Sequence, residues 1–104
     1  MAIVKTARCK VKPESVDKCR KIVQEYVALV TEHEPGTLFY SVVQEKEDPT
    51  VFLFFRISQD GTEDQHNNAP YLPHYVDLVN AESIEPLAGT DYIFVSSNQK
   101  FTDD

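Results

Sequence analysis

One stretch of the sequence gathers most of the side chains that could carry chemistry. Residues 64–75 contain two of the three histidines of the chain, together with two tyrosines, two asparagines and two prolines. The stretch follows the most hydrophobic run of the chain, residues 51–57. A polar, aromatic-rich break beside a buried strand can form the wall of a pocket, although Pro and Asn also mark ordinary loop-to-helix junctions.

The residue types in this stretch favour acid–base chemistry. The unperturbed pKa of a histidine lies near ~6.5, which suits proton transfer at neutral pH, so His66 is the candidate general base. Tyr71, Tyr75 and Tyr40 could orient a phenolic or carbonyl substrate. Tyr75 also falls on an apolar stripe at helical spacing, and that position favours a place in the core.

Asn67, Asn68 and Arg56 are further polar candidates, and Asn68 and Arg56 each allow a second interpretation. Asn67 or Asn68 could donate hydrogen bonds to a substrate, and Asn68 could instead cap the helix that follows. Arg56 interrupts the apolar third strand. It either pairs with an acidic side chain or binds an anionic group of a substrate.

Several other kinds of site have no pattern in the sequence. The three histidines and two cysteines are not spaced as metal ligands, and three glycines leave no Gly-rich phosphate loop. We therefore expect neither a metal nor a cofactor. Cys9 and Cys19 fall on a predicted strand and a predicted helix, and we expect both to be free, buried thiols.

Length and charge narrow the class of protein. A chain of 104 residues predicts one domain, and 41% hydrophobic with 26% charged residues is ordinary globular composition. The net charge of −7 argues against a nucleic-acid partner and against an anionic membrane surface. No apolar run approaches the ~20 residues of a membrane span, and no signal peptide is visible. The expected location is the cytoplasm.

The hydrophobic pattern predicts six main elements and one short helical turn. Strands are predicted at residues 2–11, 37–45, 50–58 and 84–97, the last interrupted at 87–89; helices are predicted at 14–33 and 70–82, with a turn at 62–66. The order β-α-β-β-α-β is that of a ferredoxin-like α+β fold with a four-stranded antiparallel sheet. We expect a single domain over residues 1–97 and a polar C-terminal tail over 98–104.

The third strand is apolar on both of its faces, which predicts an assembly. Phe52 and Phe54 point one way, and Leu53 and Phe55 point the other. Two helices cover only one face of a four-stranded sheet, and soluble monomers rarely expose a large apolar patch. A two-fold homodimer through the sheet face would cover the second side. The alternative, a C-terminal segment folded over that face, is disfavoured by the shortness and polarity of the segment.

Four segments, in order and at the right spacing, resemble one known family. Residues 7–14 are similar to its first strand and Lys-Pro-Gly turn, residues 34–40 to its Glu-Pro-Gly-Cys-Leu-x-Tyr segment, residues 48–52 to its hairpin, and residues 66–72 to its His-x-x-Ser-Pro-His-Phe junction. The chain thus resembles, over nearly its whole length, the antibiotic biosynthesis monooxygenase (ABM) family of the dimeric α+β barrel superfamily. The resemblance implies a homodimer with facing sheets and a cavity in each protomer between sheet and helices.

The resemblance also implies a range of activities, and this sequence departs from the family pattern in places. Characterised members include oxygenases of polyketide phenols or quinols that need no flavin or metal, haem-degrading enzymes, and isomerases of phosphorylated sugars. Phe55 stands where an acidic residue is usual, Ile57 where an aromatic is usual, and Tyr71 where the second histidine is usual. His66 is the motif histidine that is retained.

Three functions therefore stay open on the sequence. The first is a cofactor-independent monooxygenase of a small aromatic phenol or quinol, with His66 as base and Tyr71 and an asparagine placing the ring. The second is an isomerase of a small anionic metabolite, held by Arg56 or Arg8. The third is a non-catalytic dimeric module that binds a small molecule.

Overall fold

The computed structural model describes residues 2–101, and for Glu63 and Asp64 it describes the backbone alone. The elements are β1 (Ile3–Val11), a 3-10 turn (Pro13–Ser15), α1 (Val16–His33), β2 (Thr37–Gln44), β3 (Val51–Ser58), α2 (Glu63–Asn67), α3 (Leu72–Ala81) and β4 (Ser83–Tyr92). The predicted order of strands and helices is confirmed. Residues 102–104 of the predicted tail lie outside the described residues.

The four strands form one antiparallel sheet in the order β2-β3-β1-β4. β1 and β3 are the central strands, while β2 and β4 lie at the edges. This is the ferredoxin-like arrangement predicted from the sequence.

One face of the sheet packs against α1 and α3 to form the main core. Phe52 and Phe54 of β3 and Cys9 of β1 meet a stripe of α1 side chains at three- and four-residue spacing: Cys19, Ile22, Val23, Tyr26 and Val30. That spacing places all five on one side of the helix, which is why α1 forms and where it docks. Both cysteines are buried and free, as the sequence predicted.

The opposite face of the sheet is partly covered by the end of the chain. Phe94 and Phe101 pack against a small cluster formed by Ala2, Val4 and Ile57. The expectation that the C-terminal segment is too short and too polar to cover this face was therefore wrong. Its aromatic residues are enough to reach the cluster, because two large rings bury more apolar area than the surrounding polar residues suggest.

The cover on this outer face is incomplete. Phe39, Val43 and Tyr92 stay between 43% and 53% exposed, and Ile93 and Val95 are 87% and 90% exposed. An apolar groove with a volume of about 710 Å³ runs between the sheet and the C-terminal segment. Apolar area of this extent on a small protein is typical of an interaction surface.

The predicted break in the fourth strand was wrong, because β4 runs without interruption from Ser83 to Tyr92 and ends there. Between two paired positions, Lys10↔Glu85 and Arg8↔Ala88, β4 carries one residue more than β1. A bulge absorbs the extra residue, and a proline such as Pro86 is tolerated because β4 is an edge strand.

The second long helix is shorter than predicted, starting at Leu72 rather than residue 70. Its N-cap is Tyr71, which makes no side-chain capping bond, and Pro73 lies in the first turn. Asn68 lies before the cap, so the hypothesis that Asn68 caps this helix was wrong. Within residues 2–101, no helix is both long and apolar enough to cross a membrane.

Candidate active site

The site is built around one buried carboxylate, Glu34, at the C-terminal end of α1. The residue is 3% exposed, and its backbone N–H bonds the carbonyl of Val30 to close the helix. Its Oε1 lies 2.7 Å from His66 Nδ1, and its Oε2 accepts a hydrogen bond from the hydroxyl of Tyr71. Burying a carboxylate is costly unless its oxygens are bonded, so these two partners make the position possible.

His66 links this carboxylate to an apolar cavity. Since Glu34 accepts at Nδ1, the neutral ring carries its proton on Nδ1 and leaves the Nε2 lone pair available. Nε2 lies 3.5 Å from the hydroxyl of Tyr26, which is too long for a strong hydrogen bond. The ring also lines the cavity. Glu34 thus fixes the orientation of the ring, and the basic nitrogen Nε2 makes only one long contact with Tyr26.

The surroundings of His66 keep the imidazole neutral. Burial lowers its pKa below the usual value, and the positive charges of Arg56 and Lys5 lower it further. The carboxylate of Glu34 acts in the opposite sense and raises it. A neutral imidazole at pH 7, paired with a carboxylate that would stabilise its protonated form, is the arrangement that proton abstraction requires.

The cavity lies between the sheet and the helices and has a volume of about 120 Å³. Its walls are apolar apart from three tyrosines and the histidine: Ala7, Ile22, Val23, Tyr26, Tyr40, Phe54, His66, Leu72, Tyr75, Val76, Val79 and Leu87. An engineered protein cavity of about 150 Å³ binds benzene. The space beside His66 is therefore of the size of one aromatic ring.

Four tyrosines form a cluster, of which Tyr26, Tyr40 and Tyr75 line the cavity and Tyr71 packs against Tyr26. The ring of Tyr26 is central, with centroids 5.7 Å, 6.1 Å and 5.6 Å from those of Tyr40, Tyr71 and Tyr75. Burial raises the pKa of Tyr26, Tyr40 and Tyr71, and a neighbouring tyrosine or carboxylate contributes in each case. All three hydroxyls stay protonated at neutral pH, so they can serve as hydrogen-bond donors.

The remaining sequence candidates are placed differently from one another. Tyr75 is half-buried and lines the cavity, and its hydroxyl lies 3.4 Å from Glu25. Asn67 and Asn68 are exposed and do not line the cavity. Arg56 is 7% exposed, and its Nη1 has no hydrogen-bond partner among the described side chains. The acid pairing considered for Arg56 is thus not made at that atom.

Sequence reasoning missed two members of the site. Glu34 entered the sequence argument only as the first residue of the segment 34–40, and Tyr26 was not among the candidate residues. The resemblance of residues 34–40 to a family segment was the available signal for Glu34. Nothing local marks Tyr26, since tyrosine at a core-facing helix position is common.

The turn after Glu34 fixes the position of α2, the short helix that carries His66. Gly36 N–H bonds the side chain of Gln65 at 3.3 Å, and the carbonyl of Gly36 accepts a bond from Gln59 N–H at 2.9 Å. A Cβ on Gly36 would lie 2.7 Å from Thr62, which is a clash. Glycine is required here because the two chain segments approach closely.

The fold and the paired histidine and carboxylate define a ferredoxin-like α+β protein with a small apolar cavity beside a candidate base. A family model described as antibiotic biosynthesis monooxygenase matches residues 2–78, well over half of the chain. The chain belongs to the ABM family, as its four motif segments suggested. No curated protein matches the chain.

Solved structures agree with this assignment at the level of the fold. A structure described as an antibiotic biosynthesis monooxygenase has 26% identity and a TM-score of 0.80, covering 92% of this chain and 100% of that chain. A protein from Bacteroides thetaiotaomicron, provisionally named as such a monooxygenase, has 21% identity and a TM-score of 0.81, covering 95% and 94%. A conserved protein from Methanosarcina mazei has 24% identity and a TM-score of 0.80, covering 88% and 91%.

Proposed function

We propose that this protein is a monooxygenase that uses O₂ directly on a small, electron-rich phenol or quinol. Membership of the ABM family supports the reaction class. The observation that carries the proposal is the His66–Glu34 pair, 2.7 Å apart, in which His66 also lines an apolar cavity of single-ring size.

This reaction requires three things of the protein: a base, a cavity that excludes water, and side chains that orient the substrate ring. His66 Nε2 removes the hydroxyl proton, and the electron-rich phenolate passes one electron to O₂. The resulting superoxide and phenoxyl radical combine to form a C–O bond at a ring carbon that carries hydrogen, which is the para carbon of a phenol or an ortho carbon of a quinol. Loss of the proton from that carbon and cleavage of the O–O bond then release water and leave a quinone from the phenol or a hydroxyquinone from the quinol, so that each substrate molecule consumes one O₂ and gives one H₂O.

Specific residues take the remaining roles in this proposal. Glu34 orients the imidazole and stabilises the imidazolium that proton abstraction creates. Tyr71 is tied to the same carboxylate, and Tyr40 and Tyr75 hold the ring in place. The apolar cavity walls exclude water, which protects the phenoxyl radical from side reactions.

We also propose that the protein acts as a homodimer joined through the outer face of the sheet. The half-exposed Phe39, Val43 and Tyr92 and the exposed Ile93 and Val95 support this assembly. The C-terminal segment covers Ile57 and Val4 but leaves the groove of about 710 Å³ for a second copy to fill. A dimer is expected by light scattering at micromolar concentration, and a monomer would contradict this part of the proposal.

The test of the reaction is oxygen consumption with single-ring quinols and phenols, compared between wild type and His66→Ala. We expect His66→Ala to lower turnover by about 10²–10⁴-fold, the usual contribution of a positioned base. The control is His74→Ala, which removes an exposed histidine outside the cavity. Equal turnover of wild type and His66→Ala would end the assignment of His66 as the base.

Anaerobic incubation separates the proposal from the two other functions. A substrate that is converted without O₂ indicates an isomerase. A ligand that raises the melting temperature but is never converted, with or without O₂, indicates a binding module. Loss of all conversion when O₂ is removed is the result expected for the monooxygenase.

A further inference from the structure

The helix-facing side of β3 carries two buried polar side chains that the proposed reaction does not use. Arg56 is 7% exposed and Ser58 is 2% exposed. Arg56 Nη1 and Ser58 Oγ both lack a hydrogen-bond partner among the described residues. Buried polar atoms in native proteins are nearly always bonded, so two such atoms on neighbouring positions of one strand face need an explanation.

Both residues lie on the face of the sheet that lines the cavity, although neither is itself a lining residue. Side chains two residues apart on a strand point to the same side, so Arg56 and Ser58 follow Phe54, which lines the cavity. In the register of the sheet, Arg56 lies opposite Tyr40, another cavity residue, and opposite Lys5 on the other neighbouring strand. The positive charge of Arg56 also acts to lower the pKa of both Tyr40 and His66, so the guanidinium lies within electrostatic range of two cavity residues.

Among the described side chains, no carboxylate forms an ion pair with Arg56. The oxygens of Glu34 are engaged by His66 and Tyr71. Lys5 forms an ion pair with Asp91 at 3.4 Å. Asp91 belongs to β4, the neighbour of β1 on the side opposite to β3. A buried guanidinium nitrogen without a hydrogen-bond partner is unfavourable, and a bound anion that accepts its hydrogen bond would remove that cost.

We propose that Arg56 and Ser58 form a subsite for a carboxylate, so that the substrate is a single-ring phenol or quinol that carries a carboxylic acid. The guanidinium and the hydroxyl supply two donors for the two oxygens of a carboxylate. The ring occupies the adjacent cavity, whose volume admits one ring. The assignment of the ring rests on the proposed function, whereas the subsite itself requires binding alone.

The experiment compares two probes of nearly the same shape, the anion 3,4-dihydroxybenzoate and the neutral 3,4-dihydroxybenzamide, by calorimetry under anaerobic conditions. We expect the wild type to bind the acid about 10- to 100-fold more tightly than the amide, the effect of one charge-assisted hydrogen bond. Arg56→Met should remove this preference, because it weakens binding of the acid far more than binding of the amide. Ser58→Ala should reduce the preference by about threefold to tenfold.

A structural role for Arg56 predicts a different pattern. If Arg56 holds the fold together, Arg56→Met lowers the melting temperature of the ligand-free protein. The subsite predicts an unchanged or higher melting temperature, because the variant loses a buried guanidinium whose Nη1 has no hydrogen-bond partner among the described residues. The matched control is Arg8→Met, which removes an equal charge from an exposed arginine paired with Glu85 at 3.2 Å; it should keep the preference for the acid.

Three results would overturn the subsite. In the first, the wild type binds the acid no more tightly than the amide; in the second, Arg56→Met still prefers the acid. In the third, inorganic phosphate displaces the acid but benzoate does not. If Arg56→Met does not fold, the wild-type comparison and Ser58→Ala decide the question. A preference for the acid without any oxygen consumption would refute the proposed reaction and leave the subsite standing.

Discussion

Replacing Glu34 by glutamine tests the central pair of the site with little change of shape. The amide oxygen can still accept the Nδ1 proton of His66, and the Tyr71 hydroxyl can turn to accept from the amide nitrogen. The tautomer of His66 and the packing are therefore kept. What is lost is the negative charge 2.7 Å from the imidazole.

The size of the effect follows from that distance. With charge centres about 4 Å apart and an effective dielectric constant of about 20, the carboxylate stabilises the imidazolium by about 4 kcal/mol. That energy corresponds to about a 10³-fold loss of turnover if His66 is protonated in the transition state. Folding should suffer less, by about 2 kcal/mol, because two charge-assisted hydrogen bonds become neutral ones.

Two measurements check this prediction. Oxygen consumption gives turnover, and NMR titration of the imidazole gives the pKa of His66, which should fall further in Glu34→Gln because Glu34 raises it. Glu32→Gln is the matched control, since Glu32 is exposed on the same helix, 3.8 Å from His33. Unchanged turnover with a lowered pKa would refute the role of the carboxylate in catalysis.

Three further predictions concern pH, the cavity and the assembly. Burial and Arg56 depress the pKa of His66 in the folded protein, so on acidification the unfolded chain takes up a proton first. The free energy of unfolding should therefore fall as the pH drops from ~6.5 to the folded pKa. His66→Ala should flatten this pH dependence in melting curves. Ala7→Leu should fill the cavity and weaken ligand binding at least tenfold while the melting temperature is kept, whereas Ala88→Leu, at an exposed strand position, should leave calorimetric affinity unchanged. Phe39→Glu should give a monomer in light scattering, because it buries a charge in the proposed dimer interface. The control Ala28→Glu, on the exposed side of α1, should leave the assembly unchanged. A dimeric Phe39→Glu protein would refute this choice of interface.

Local patterns were sufficient to predict the fold. The three- and four-residue spacing of α1 and the alternation along β1 each reflect one buried face, and such a face is visible in a single segment. The break predicted in β4 failed for the complementary reason. Gly89 and its neighbours look like a turn in isolation, but pairing with β1 holds them extended.

The site could be predicted only in part, because its partners are far apart in sequence. His66 was identified from its residue type and its junction, yet its orientation depends on Glu34, which is 32 positions away. The contact between them exists because β2 and β3 form a hairpin that returns the chain to the end of α1. A single sequence without related sequences carries no signal of such a pairing. The covering role of Phe101 was missed on the same grounds.

The turn at Glu34–Gly36 has a mechanical consequence for the segment between β3 and α3. Glu34 bonds His66 and Tyr71, and Gly36 bonds Gln59 and Gln65, so a three-residue turn holds both ends and the middle of this crossing segment. Residues 59–71 should accordingly detach as one cooperative unit, with amide protons that exchange at a common rate. A methyl group on Gly36 would then loosen the whole segment by its contact with Thr62 alone. The machinery that holds the base would be lost in a single step while the sheet stays intact.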